Sequence, residues 1–188
     1  MEFVQPIRDK RQIEAMKKVL LASNQRDHVL FVLGINSGLR ISDILKLLVG
    51  DVTSENGKVK DRVTLRERKT NKRKDFPLGE NARKALREYL EASGLPSDSP
   101  LFPSRKGEDS IRREQAYRIL NDAARMIGIK DRIGTHTLRK TFAYHAYKQG
   151  YDLSMIQKLL NHSAPSVTLA YIGITQDSMD EVYLSMNL

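Results

Sequence analysis

Hydrophobic residues recur at intervals of three and four positions over most of the chain, which places them on one face of a helix. Residues 26–37 are almost wholly apolar at their centre, so we expect that helix to be buried. Gly38 follows it, as a residue able to take the left-handed conformation that ends a helix. The predicted helices span residues 11–22, 26–37, 42–48, 80–92, 110–127, 137–148, 153–160, 165–171 and 178–186.

The helical spacing is absent from residues 58–78, where β-type residues flank a polar stretch. Val63 and Phe76 lie in opposite arms of this segment, and Thr70-Asn71 is suited to a turn between them. We therefore predict a β-hairpin, preceded by a short strand near Asp51-Val52. The expected fold is mainly α with a small three-stranded antiparallel β-sheet, which belongs to the α+β class.

The length of 188 residues suits one domain, and the hydrophobic fraction of 40% is enough for a sizeable core. We therefore expect a single domain over residues 1–188. The absence of cysteine excludes a disulfide framework, thiolate metal sites and a cysteine nucleophile. The first 20 residues lack the apolar segment of a secretory signal, and the longest apolar run, residues 29–35, is too short to span a bilayer. We expect a soluble cytoplasmic protein.

Lysine plus arginine outnumber aspartate plus glutamate by 32 to 23, which gives a formal net charge of +9. Such an excess favours a polyanionic partner, nucleic acid before a membrane surface, although charge also serves solubility alone. The excess is concentrated in the predicted hairpin, because residues 58–74 hold nine basic residues and two acidic ones. The hairpin either follows a phosphate backbone or uses its charges to prevent edge-to-edge aggregation.

Three short stretches carry residues suited to phosphate chemistry. In the first, Arg40 follows the predicted helix end and Asp43 stands three positions later, so the carboxylate can hold the guanidinium as a planar fork for a phosphate. In the second, His136 and Arg139 share one face at a helix start, where backbone N–H groups also favour an anion. In the third, His162 ends a helix and Tyr171 follows beyond a proline. Each stretch alone also fits a surface ion pair, a capped helix start or a packing residue.

Together, and in this order, the stretches resemble the catalytic domain of the tyrosine recombinases, the phage integrase family. That family has an arginine in a G-L-R-x-x-[DE] setting, a lysine on a β-hairpin, an H-x-x-R pair, a further histidine in an L-x-H setting and a tyrosine several residues later. The resemblance covers residues 11–186. The matching positions in this chain are Gly38-Leu39-Arg40 with Asp43, Lys69, His136-Thr137-Leu138-Arg139, Leu160-Asn161-His162 and Tyr171.

The resemblance implies transesterification at a DNA phosphodiester through a 3′-phosphotyrosine, without a metal, ATP or another cofactor. Tyr171 would be the nucleophile, while Arg40 and Arg139 would bind the non-bridging oxygens of the phosphate. Lys69 would protonate the leaving 5′-oxygen, and His136 would act as general acid and base.

The resemblance also implies supporting roles around these groups. His162 would hydrogen-bond a non-bridging oxygen, and Asp43 would orient Arg40. Nearby cations would favour the ionised form of Tyr171. The basic residues that we expect to contact DNA are Arg68, Lys72, Arg73, Lys74 and Lys140.

The family relationship further implies double-stranded DNA as the partner and a homo-oligomer, a tetramer on two DNA sites, in a prokaryotic cell and on its nucleoid. The segment 178–188 would dock onto a neighbouring protomer or pack on its own core. Two departures from the family pattern stand out. Asn161 stands where the family commonly has glycine, and asparagine also tolerates the left-handed conformation. The N-terminal clamp domain of the family has no room in this length, so we expect the catalytic domain alone.

Three other functions share some of these features. A non-catalytic DNA-binding module could keep the same fold, and a nicking and closing enzyme of the type IB topoisomerase kind would share the chemistry without exchanging strands. A metal hydrolase could use His136 and His162, although the sequence has no H-E-x-x-H motif.

Overall fold

The computed structural model describes residues 4–67, 73–105, 107–174 and 182–186. Most of these residues are helical, as the hydrophobic spacing predicts, and residues 182–185 are helical as well. The remaining elements are α1 Lys10–Ser23, α2 Gln25–Ser37, α3 Ile41–Ile44, α4 Val49–Val52, β1 Arg62–Arg66, β2 Arg73–Pro77, α5 Glu80–Ser93, α6 Arg113–Met126, α7 Thr135–Lys148, α8 Leu153–Leu160 and α9 Pro165–Ile172.

The sheet has two strands within the described ranges, and the third predicted strand is wrong. β1 and β2 pair antiparallel from Arg62 opposite Pro77 to Arg66 opposite Arg73. The segment near Asp51-Val52 is instead the single helical turn α4, because the Asp51 carboxylate accepts the Leu48 N–H at 2.8 Å and caps the turn. The segment meets the stretch before β1 through an isolated bridge between Thr53 and Val59, and the Lys60 N–H donates to Val52 O at 2.8 Å. The predicted turn at residues 70–71 lies outside the described residues.

Helix α2 lies at the centre of the main hydrophobic core, as its apolar run predicts. It packs against α1, α5 and α7, and all positions from Val29 to Leu33 are almost completely buried. Neighbours on several sides explain why the helix is apolar around its whole circumference rather than along one stripe.

A second, smaller hydrophobic cluster joins α7, α8 and α9. Its fully buried members are Ala143, Ile156, Leu160 and Ile172. This cluster sets the positions of α8 and α9. His162 follows the C-cap of α8, and Tyr171 lies in the last turn of α9.

Five helix starts differ from the prediction; those of α1, α2 and α3 lie one residue earlier, and those of α6 and α7 shift by two or three residues for local reasons. α3 covers Ile41–Ile44 with Arg40 as its N-cap, so it is shorter than the predicted helix 42–48. Ile111 donates its backbone N–H to Phe102 O at 2.8 Å, which keeps this stretch extended and delays α6 to Arg113. α7 begins at Thr135, because the Gly134 N–H donates to Thr137 Oγ1 at 3.0 Å.

The C-terminal part of the chain is only partly described. Residues 175–181 and 187–188 lie outside the described ranges, so the predicted helix 178–186 can be followed over 182–185 alone. Val182, Tyr183, Leu184 and Met186 are exposed there. Among the described helices, none is both long and apolar enough to cross a membrane.

Candidate active site

The end of α2 places Arg40. Gly38 takes the left-handed conformation at φ 61° and ψ 17°, which ends the helix as predicted. A Cβ atom at Gly38 would also lie 2.7 Å from the Phe142 ring, so α7 packs closely against this turn. The chain then reverses into α3, and the Arg40 side chain is left 19% exposed.

The ion-pair partner of Arg40 is Glu67, which lies in none of the three sequence motifs. The Arg40 Nη1 atom lies 3.1 Å from Glu67 Oε1, and Asn161 Nδ2 donates to Glu67 Oε2 at 2.9 Å. Val63, Leu65 and Glu67 alternate with outward residues along β1, and this period of two is the pattern that places Glu67 inward. Asp43 is also buried, and its role in orienting Arg40 stays a prediction.

Arg139 lies at the centre of the site, 2% exposed. Its Nη1 atom donates to Gly38 O at 2.7 Å, and its Nη2 atom donates to Leu160 O. Burial lowers the pKa of this guanidinium, while the charges of Glu67 and Asp43 act in the opposite direction. The side chain therefore joins the end of α2 to the end of α8 and lies between them.

The end of α8 positions His162. Asn161 adopts the left-handed conformation at φ 50° and ψ 44°, as the substitution of asparagine for glycine predicts. The chain turns there, and His162 Nδ1 lies 3.0 Å from the Oγ1 atom of Thr168, which is fully buried on α9. Burial and then the charges of Arg139 and Arg40 lower the pKa of His162 to about 4, so its ring is neutral at pH 7.

Tyr171 lies on α9 among the other candidate residues. Its hydroxyl oxygen is 3.5 Å from His136 Nδ1, and its ring centroid is 4.9 Å from that of His162. Burial raises the pKa of Tyr171. Arg139 and Arg40 lower it, as predicted for nearby cations, but burial has the larger effect and the phenol stays protonated.

His136 stands in the first turn of α7, at the rim of the site. Partial burial of the ring lowers its pKa, and the charge of Arg113 is the next cause, followed by Arg139 and Lys140. The ring is therefore neutral and able to accept a proton. Arg113 begins α6 and donates through Nε to Thr135 Oγ1 at 3.3 Å. No motif in the sequence includes Arg113, because its proximity to His136 comes from the packing of α6 on α7.

The predicted DNA-contacting residues occupy three different environments. Arg73 is exposed on the outer face of β2. Lys74 faces inward and donates to Leu159 O at 3.1 Å, and burial followed by the charge of Arg139 lowers its pKa to about 8. Lys140 is buried in the site, with Nζ 5.1 Å from the centroid of the Tyr171 ring.

Three predicted residues, Arg68, Lys69 and Lys72, fall in the segment 68–72, which lies outside the described residues. Apart from Lys69, the predicted catalytic residues and Asp43 lie close together in the structure. They are Arg40, Asp43, His136, Arg139, His162 and Tyr171. In the described ranges, no three histidine, aspartate or glutamate side chains meet in the way that a metal site requires.

Comparisons with known proteins point to one family. A sequence model of the phage integrase family matches residues 8–177. The chain is 44% identical over 183 residues to the probable integrase/recombinase YoeC of Bacillus subtilis (strain 168), with 97% of each protein covered. It is 34% identical over 167 residues to the tyrosine recombinase XerC of Thermodesulfovibrio yellowstonii, covering 85% of this chain and 54% of that protein. The chain thus spans nearly all of YoeC and about half of XerC.

Solved structures share the fold at lower identity. The crystal structure of XerA recombinase has a TM-score of 0.77 at 21% identity and covers 100% of this chain and 66% of that one. A lambda integrase dimer bound to a COC′ core site has a TM-score of 0.71 at 17% identity, covering 93% of this chain and 51% of that one. The sequence match over most of the chain, the shared fold and the gathering of these side chains lead to one conclusion: this chain belongs to the phage integrase family, the tyrosine recombinases.

Proposed function

We propose that this chain is the catalytic domain of a site-specific DNA recombinase that cuts and rejoins strands through Tyr171. The observation that carries the proposal is the position of the Tyr171 hydroxyl, 3.5 Å from the neutral ring of His136 and beside the buried Arg139. A protonated nucleophile, a proton acceptor and cationic groups for the phosphate are thus present in one chain.

In the proposed cleavage step, the Tyr171 oxygen bonds to phosphorus and the bond to the 5′-oxygen breaks. The tyrosine proton passes to His136, whose lowered pKa leaves it unprotonated beforehand. The 5′-oxygen takes a proton from Lys69. Rejoining reverses each transfer, and the energy of the phosphodiester is kept in the phosphotyrosine.

Arg40 and Arg139 supply the positive charge that a pentacoordinate phosphorane requires at its non-bridging oxygens. Both guanidiniums are held in place by the protein, Arg40 by Glu67 and Arg139 by two backbone carbonyls. Preorganised donors of this kind need little rearrangement when charge develops. His162 adds a neutral N–H donor, and Asp43 lends negative charge beside Arg139.

Strand exchange requires two DNA sites, so we propose that protomers assemble on double-stranded DNA as a homo-oligomer, a tetramer on two sites. Related structures include a XerH recombinase bound to its difH substrate and a lambda integrase tetramer on a Holliday junction. The exposed apolar residues of the segment 182–186 support docking of this segment onto a neighbouring copy. Deleting residues 175–188 should then lower the order of assembly on DNA without unfolding the monomer.

The test is covalent capture of DNA. Random duplexes are selected for adducts that survive denaturation, and the selected duplex is then nicked beside the scissile phosphate so that the released strand diffuses away. Wild type should form a 3′-linked adduct in excess chelator, and Tyr171→Phe should form none. Tyr151→Phe, which changes an exposed tyrosine, is the matched control.

The other outcomes point to a different nucleophile or to a different function. An adduct that persists in Tyr171→Phe would show that another residue is the nucleophile. Binding without any adduct favours the DNA-binding module. Relaxation of supercoils without strand exchange favours the topoisomerase kind of enzyme, and cleavage abolished by chelator favours the metal hydrolase.

A further inference from the structure

We propose that Glu67 is a positioning residue, which fixes the guanidinium of Arg40 and fastens the end of β1 to the end of α8. The inference deepens the proposed function and rests on it, because it concerns how the same site is assembled. Nothing in the sequence pattern of the family assigns a role to this carboxylate.

The burial of Glu67 makes a functional partner necessary. The residue is 1% exposed, and a carboxylate taken out of water is costly unless both of its oxygens are satisfied. Oε1 faces Arg40 Nη1 at 3.1 Å, and Oε2 accepts from Asn161 Nδ2 at 2.9 Å. One side chain therefore touches a residue proposed to bind the phosphate and the residue that turns the chain towards His162.

The position of Glu67 in the chain links the hairpin to these contacts. Glu67 follows directly after β1, and Lys69 stands two residues later. Contacts at both carboxylate oxygens fix the end of β1 beside Arg40 and Asn161.

The charge of Glu67 offsets repulsion among the cations of the site. Arg40 and Arg139 each lower the pKa of Lys74, whereas Glu67 raises it. With a neutral side chain at this position, Arg40 would lose its ion pair and would be repelled by Arg139 before a phosphate arrives. The guanidinium would then have to be ordered during the reaction, which slows the chemical step.

DNA affinity and the rate of the chemical step should respond differently to loss of the Glu67 charge. Glu67→Gln removes one negative charge and so raises the net charge of the site by one. DNA affinity should therefore stay equal or rise by a few-fold. The rate of adduct formation on saturating DNA should fall by about 10- to 100-fold, since Arg40 is no longer held. A variant that is merely less folded would lose both properties together.

The experiment measures the dissociation constant and the single-turnover rate of adduct formation on the selected nicked duplex. Glu55→Gln makes the same charge change at an exposed position and should match wild type in rate. Asn161→Gly keeps the left-handed turn but removes the amide, and it should slow the reaction by about 3- to 10-fold. Thermal unfolding of each variant checks its fold.

A double-mutant cycle tests whether Glu67 acts through Arg40. In the Arg40→Ala background, Glu67→Gln should cause no further loss of rate, and it should cause a gain if the unpaired carboxylate repels the phosphate. A further loss of about 10-fold would show that Glu67 acts independently and would overturn the inference. An unchanged rate for Glu67→Gln alone would overturn it while leaving the proposed function intact. A wild type without an adduct would overturn both.

Discussion

We expect Thr168 to determine which ring nitrogen of His162 carries the proton. A neutral histidine has a single N–H, and His162 is neutral at pH 7 because its pKa is lowered to about 4. Its Nδ1 atom faces Thr168 Oγ1 at 3.0 Å. When the threonine hydroxyl donates to Nδ1, the proton of the ring must lie on Nε2, from which it can be given to a phosphate oxygen.

We expect Thr168→Val to slow adduct formation by about 10-fold, since the isosteric side chain cannot fix this tautomer. DNA affinity and thermal stability should change little, and Thr168→Ser should react like wild type. The measurement is the single-turnover rate between pH 5 and 8, a range in which His162 stays neutral. A valine variant as fast as wild type would contradict this role.

Lys74 is a cation whose surroundings in the folded protein oppose its charge. Its Nζ atom donates to a carbonyl of α8, and burial and the charge of Arg139 lower its pKa from 10.5 to about 8. Below pH 8 the folded and unfolded states both carry the proton, so the cost of the charge is fully present. Between pH 8 and 10.5 the unfolded state binds more protons, and stability rises with pH.

Lys74→Met should therefore raise Tm by about 2–4 °C at pH 7, which corresponds to about 1 kcal/mol after allowance for solvent screening. The advantage of the variant should shrink at pH 9.5, because wild type has by then lost the buried charge. DNA binding should weaken. Arg73→Met changes an exposed residue on the outer face of the same strand, and it should leave Tm unchanged at both pH values. An equal gain in Tm at pH 7 and pH 9.5 would count against the buried charge as the cause.

The end of α2 is the element that sets Arg40 against α7. At Gly38 a side chain would meet both a positive φ and the ring of Phe142. Gly38→Ala should thus lower the free energy of unfolding by about 2–4 kcal/mol, from backbone strain together with overpacking.

Gly57→Ala is the matched control for this substitution. Gly57 also has a positive φ of 76°, but a side chain there would meet no atom within 4 Å. It should cost about 1 kcal/mol, so the difference between the two variants isolates the contact with Phe142. Urea unfolding measures both, and equal losses would show that the ring yields to the new methyl group.

The elements that the sequence predicts well are those whose spacing is sustained, such as α1, α2, α5 and α8. The prediction of a strand near Asp51-Val52 is wrong because a helix of one turn is too short to show a hydrophobic period. Its start also depends on the cap that Asp51 supplies. In the site, the motifs identify Arg40, Arg139 and Tyr171. Glu67 was missed because its partners are remote in sequence, and only the tertiary fold brings Arg40 and Asn161 to it.

At the scale of the whole molecule, the site lies where the two hydrophobic clusters meet. The main core carries the end of α2 and the hairpin, and the small cluster carries the ends of α8 and α9. Helix α7 contacts both groups of helices, so Arg139 and His136 reach the site from between them. Tyr171 thereby meets the arginines of its own chain.

This arrangement predicts cleavage by each protomer with its own tyrosine. A mixture of Tyr171→Phe, which keeps the arginines, and Arg40→Ala, which keeps the nucleophile, should form no more adduct than Arg40→Ala alone. The assay is adduct formation on the selected duplex at equal total protein, with wild type diluted into Tyr171→Phe as the control for mixed assembly. If the mixture forms more adduct than Arg40→Ala alone, the tyrosine of one protomer reaches the arginines of another.

The two carbonyl bonds of Arg139 have a consequence for how such a protein can lose its activity. Because this guanidinium also ties the end of α2 to the end of α8, replacing it removes structural support together with the charge. Tyr171→Phe removes one oxygen and leaves the packing intact. A change at Tyr171 should therefore abolish cutting and leave a stable protein that still binds DNA, whereas a change at Arg139 should also lower stability. Tyr171→Phe is accordingly the better variant for an inactive competitor.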